Sequence, residues 1–143
     1  MGAMETESGA AVRFARRVFL WAGIVGIVEL VPLYFAEPAI HRMQPPPLTH
    51  PDFYYGFVGV ALAWQVAFLI LSRDPLRYVS LMPALFLEKL LYPASTYGLF
   101  ALGRVSPSVL GPATLDLVWL ALFVVVWLKL RRIAPPAPAG APR

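Results

Sequence analysis

The chain contains no cysteine, which excludes disulfides, thiol nucleophiles, iron–sulfur ligation and cysteine-bound zinc. It is also poor in charge. Only 14% of its residues are Asp, Glu, Lys or Arg, against about 25% in a soluble domain. There is no H-E-x-x-H metal motif, phosphate-cradling glycine loop or Ser-His-Asp set. The two histidines, His41 and His50, stand nine residues apart with Glu37 and Asp52 nearby. Metal ligation needs three or four convergent ligands, so neither a metal nor a cofactor is expected. The formal charge of +4 does not read as a nucleic-acid footprint, because the basic residues sit at the ends of apolar runs.

What the chain does contain is apolar surface. Hydrophobic residues make up 59% of its 143 positions, and the mean hydropathy is +0.66. A bilayer core needs about 20 apolar residues per helix. Four segments reach that length, over residues 18–36, 53–71, 78–102 and 113–130. Proline and glycine punctuate the connections between them. The expectation is an all-α membrane protein: a polar segment 1–17, a transmembrane domain 18–132 and a disordered Pro/Ala-rich tail 133–143. The opening "MGAMETESGAA" leads into a run too long for a signal-peptide core, so no cleavable signal is expected.

Orientation follows from Lys and Arg. Arg13, Arg16, Arg17, Arg73, Arg77, Lys129, Arg131 and Arg132 fall on one side, and only Arg42 and Arg104 on the other. The positive-inside rule then places both termini in the cytoplasm of a bacterial cell, with the chain in the inner membrane. Short connections between four helices favour an up-down antiparallel bundle. Span two carries a row of small residues, Gly56, Gly59 and Ala63, suited to close helix packing or to a homo-oligomer contact.

The spans are not uniformly apolar. Glu29 lies twelve residues beyond Arg17, or about 18 Å up span one. Glu88 and Lys89 lie eleven and twelve beyond Arg77, about 17–18 Å up span three. Asp116 is thirteen residues from Lys129, at about 20 Å. Gln65 is lower on span two, and Tyr92 and Ser95 share the face of Glu88. Three spans therefore set ionisable groups at one height. A charge at mid-bilayer costs about 2.5–3.5 kcal/mol, so such groups turn inward and find partners. Lys89 is expected to reach Glu29 or Asp116 on another helix rather than its own neighbour Glu88. Pro32 and Pro93 cannot donate to the carbonyls of Val28 and Lys89, which predicts kinks beside the charged positions.

Within this frame, the run "THPDFYYGFVGVALAWQVAFLILSRDPLRY" followed by "LEKL" resembles small uncharacterised bacterial membrane proteins with four predicted helices, over residues 18–130. The resemblance implies the fold and no assigned activity. Size and helix count are also similar to DoxX-like proteins and to glutathione-transferring membrane enzymes. The E-R-x-x-N motif of the latter is absent. The candidate site is thus the polar layer of Glu29, Gln65, Glu88, Lys89, Tyr92 and Asp116, with the bilayer and a small hydrophobic, lipid or protonatable ligand as expected partners. The same layer could serve assembly alone. Two other readings are a lipid- or isoprenoid-modifying enzyme with Glu88 as acid/base, and a proton or ion pathway. An open cavity at the cluster would separate a binding site from a packed brace.

Overall fold

A computed structural model of the chain describes residues 2–43 and 49–133. Among these residues it contains five α-helices and no strand: α1 (Gly2–Leu30), α2 (Leu33–Met43), α3 (Pro51–Leu71), α4 (Met82–Ala101) and α5 (Leu110–Leu130). Short 3-10 turns, Val79–Leu81 and Pro107–Val109, lead into α4 and α5. Residues 134–143 of the expected tail lie outside the described residues.

The helix boundaries follow local chemistry. Pro51 opens α3, where a missing N–H costs nothing, and Asp52 complements the positive end of the helix dipole. The end of α4 is closed by Gly103, whose φ of +67° only glycine adopts freely. The Arg104 N–H then reaches back to the Leu99 carbonyl at 2.9 Å, and the Gly103 N–H to Phe100 at 2.9 Å. These are the two bonds of a Schellman cap. Pro32 breaks the first long helix: Val31 donates to Ile27 at 3.0 Å, and the next bonds start afresh from Tyr34 and Phe35. The axes on either side differ by 51°. Pro93, in contrast, is absorbed inside α4 without ending it.

Two elements, α3 and the stretch Pro107–Leu130, are long and apolar enough to cross a membrane; the bent pair α1 and α2 makes a third if counted as one span. α4 has 20 residues but does not qualify on apolarity, because Glu88, Lys89 and several hydroxyls dilute it. The expected boundaries shift at span one. The polar opening is the start of α1 itself, and the connection after span one is helical as far as Met43.

Side-chain pairs fix the helix directions. Gly23 and Gly26 of α1 face Leu69 and Gln65 of α3, and Phe14 and Phe19 face Lys129 and Phe123 of α5. Phe86 and Tyr97 of α4 meet Trp127 and Thr114 of α5. Each of these pairings is antiparallel. α1 packs along both α3 and α5, and α5 packs along α4, while the backbones of α3 and α4 hardly approach each other. The helices therefore close three sides of a ring and leave the fourth loose.

The hydrophobic core fills only one half of this arrangement. Ala15, Phe19, Ala22, Phe68, Met82, Leu85, Phe123, Val126 and Leu130 are buried there, toward the chain's basic end. Phe123 sits at the centre, with its ring 5.2 Å from those of both Phe19 and Phe68.

Candidate functional site

Above the Phe19–Phe68–Phe123 layer the bundle is hollow. A cavity of about 770 Å³ lies between α1, α3, α4 and α5. All six predicted residues, Glu29, Gln65, Glu88, Lys89, Tyr92 and Asp116, line it, as does Ser95. Spacing along four separate segments thus placed six residues around one cavity. The remaining wall is largely apolar and includes Phe57, Val60, Trp64, Leu91 and Trp119. Val60 and Leu91 are 64% and 60% exposed, so the cavity meets the outside between α3 and α4. There the Phe57 and Tyr92 rings, 5.9 Å apart, span the gap.

Lys89 anchors the polar wall. It is 5% exposed, and its Nζ donates to Asp116 Oδ1 at 2.8 Å. The same Nζ lies 3.2 Å from Glu88 Oε1 and 5.3 Å from the centre of the Phe68 ring. The partner on α5 is one of the two expected from depth. The expectation that Lys89 avoids its neighbour is corrected: its long stem folds back far enough to touch both carboxylates. Glu29, the other expected partner, borders the cavity from α1 but is exposed and makes no hydrogen bond or ion pair among the described residues, so the expectation that it turns inward to a partner is corrected. One ammonium is shared by two carboxylates, and the third is left over.

Gln65 is 2% exposed. Its Nε2 donates to the Ala61 carbonyl on its own helix at 3.0 Å, and its Oε1 has no partner. It makes no hydrogen bond to another helix. Glu88 Oε2 is likewise buried and unpartnered. A buried polar atom left unsatisfied costs about 1–3 kcal/mol.

Sequence reasoning missed what brings α1 against this wall. A Cβ added at Gly26 would strike the Gln65 amide, and one at Gly23 would lie 2.9 Å from the Gln65 carbonyl oxygen. The signal was present as "GIVG" on span one, one turn apart, but the small-residue row on span two drew the packing assignment. In that row Gly59 faces the Tyr34 hydroxyl of the same chain, Gly56 faces open space and Ala63 is exposed. A second missed cluster holds the bend after Pro32. The Tyr54 hydroxyl donates to the Leu33 carbonyl at 2.7 Å, and Tyr55 donates to Glu37 Oε2 at 2.6 Å. Glu37 also lies 3.7 Å from His41. Among the described residues no group of three or more His, Cys, Asp or Glu converges as a metal site would require.

No family model, curated protein or solved structure matches this chain. The chemistry of the site therefore rests on its own geometry. It combines an ionic triad on one wall and aromatic surface opposite, above a closed apolar floor. That arrangement can hold a molecule with one polar end and one apolar body. The polar end would meet α1, α4 and α5, and the apolar body would lie along Phe57, Val60 and Leu91 toward the gap.

Proposed function

We propose that the chain is a four-span protein of the bacterial inner membrane, both termini cytoplasmic, that binds a small amphipathic molecule in its interhelical cavity. The observation that carries this reading is the open cavity of about 770 Å³ at the Glu88–Lys89–Asp116 cluster. Charges kept only to brace helices need no such space, since protein interiors otherwise pack to crystal-like density. Pockets of about 300–1,000 Å³ with apolar walls and a few convergent polar groups are the usual shape of small-molecule sites.

Membrane placement is supported by the two or three apolar helices and by the basic residues gathered at one end of the bundle. α4 becomes a fourth span once its charges are covered, and the 2.8 Å contact between Lys89 and Asp116 covers one of them. At about 1.5 Å per residue its 20 residues reach about 30 Å. In this placement the gap between α3 and α4 faces lipid, so a ligand enters sideways from the bilayer.

Native mass spectrometry from mild detergent tests the proposal, comparing wild type with Glu88→Gln and Ala61→Trp. The first alters the polar wall, and the second fills the cavity from α3. Wild type is expected to carry a noncovalent adduct of small-lipid mass, and both variants to lose it while keeping the wild-type circular-dichroism spectrum. A wild type extracted directly into lipid nanodiscs with no adduct, and none gained on adding total membrane lipid, would overturn the reading.

A further inference from the structure

We propose that the groove between the start of α1 and the end of α5 seats the phosphate of an anionic phospholipid. The proposal rests on the membrane placement above and is independent of what the cavity binds.

The basic end of the bundle carries charge that the fold does not neutralise. Arg13, Arg16 and Arg17 lie on α1, Arg73 and Arg77 between α3 and α4, and Lys129, Arg131 and Arg132 at the end of α5. All of them are exposed. Among the described residues none forms an ion pair with a carboxylate; the ion pairs that do form lie on α2 and in the cavity. Three of the cations rest on aromatic rings instead. Arg131 lies 4.6 Å from the Trp127 ring, Arg77 5.8 Å from Tyr78 and Lys129 5.9 Å from Phe14. A ring face attracts a cation without cancelling its charge. Residues 134–143, which follow, contain no Asp or Glu.

One place at this end is shaped as well as charged. Phe14 meets Lys129 one residue before α5 ends, so the first turns of the antiparallel α1 run on past α5. A groove of about 750 Å³ opens at that step. Ala10, Ala11 and Phe14 line it from α1, and Lys129, Arg132 and Ile133 from α5 and the turn after it. Ala10 and Ala11 are too short to fill the space that Phe14 and Phe19 fill further along the helix. Lys129 and Arg132 bring two positive charges to the groove and Glu7 one negative, a net of one positive. Glu7 makes no ion pair with either cation. One phosphodiester balances that charge, while its glycerol and first acyl carbons lie on Phe14 and Ile133. Phosphatidylcholine brings a cation of its own, and a soluble phosphate ester leaves the apolar floor bare. Basic pockets between helices at the membrane surface are where anionic headgroups bind.

The protein in mild detergent is titrated with dioctanoyl phosphatidylglycerol, dioctanoyl phosphatidylcholine and glycerol phosphate, and bound species are counted by native mass spectrometry. The first phosphatidylglycerol should bind at least about tenfold tighter than phosphatidylcholine. Lys129→Gln and Arg132→Gln should each weaken it about fivefold. Ala10→Trp keeps every charge, fills the groove from an exposed position and should abolish the preference. Arg73→Gln and Arg77→Gln remove the same charge outside the groove and should leave the preference unchanged, as should Ala61→Trp in the cavity. Circular-dichroism spectra confirm that each variant keeps its helices. An equal loss in Arg73→Gln would reveal a diffuse basic belt and overturn the groove. Glycerol phosphate binding as tightly as phosphatidylglycerol would assign the groove to a soluble ester and overturn the lipid. No preference for phosphatidylglycerol in a chain that enters nanodiscs would overturn the site and leave the membrane placement standing. A chain that does not enter them would overturn the placement itself.

Discussion

The Lys89–Asp116 contact gives a prediction whose size can be worked from the structure. Polar pairs between membrane helices average only about 0.6 kcal/mol in double-mutant cycles. Removing one partner of a buried ion pair in a soluble protein costs about 3–5 kcal/mol. Two observations decide between these figures. Lys89 is 5% exposed, so its charge is largely removed from solvent. Its partners are less covered, with side-chain exposures of 13% for Glu88 and 21% for Asp116, so their charges are partly relieved. Lys89→Met should therefore cost about 3 kcal/mol, at the lower edge of the buried range. Asp116→Leu should cost about 1.5 kcal/mol, because Lys89 keeps Glu88. The double variant should cost about 2 kcal/mol less than the sum. Unfolding in mixed micelles, followed by circular dichroism for all four proteins, supplies the cycle. Additivity within about 0.5 kcal/mol would show that the two residues do not share an interaction, and the site as described would fail.

Other expectations follow from particular contacts. Gly26→Val should destabilise by about 1–3 kcal/mol through overpacking against Gln65. Gly56→Ala, where a Cβ meets open space, should gain about 0.5–1 kcal/mol of helix stability; both are read by the same unfolding assay. Tyr54→Phe removes the hydroxyl that caps Leu33 and should cost about 1 kcal/mol, with looser spin-label distances between α2 and α3. Because the chain lacks cysteine, single cysteines can test orientation. Ser106→Cys should react with a membrane-impermeant maleimide in intact cells, and Asp74→Cys only after permeabilisation; the reverse pattern would invert the proposed topology.

The polar layer was legible because charge in an apolar run is conspicuous and helical rise converts residue number into height. Lys89, Glu88 and Asp116 could be matched that way before any packing was known. Height says nothing about rotation, however, so Glu29 was as good a partner for Lys89 as Asp116. Only the packing of α5 along α4 separates them. The kink at Pro32 was equally readable, since a missing N–H is a local fact. Pro93 leaves α4 continuous, because neighbouring helices decide whether a proline ends its helix. The Gly23–Gly26 approach stayed hidden because a small residue in a span can face a helix, a lipid or a void. The hollow was also out of reach. Side-chain volumes are known from sequence, but the space between helices is not.

The aromatic layer of Phe19, Phe68 and Phe123 has a consequence for traffic through the molecule. All three rings have no exposed surface, and Leu85, Val126 and Leu130 close the space toward the basic end. A solute that reaches Lys89 therefore meets a blind wall and has to leave by the route it entered.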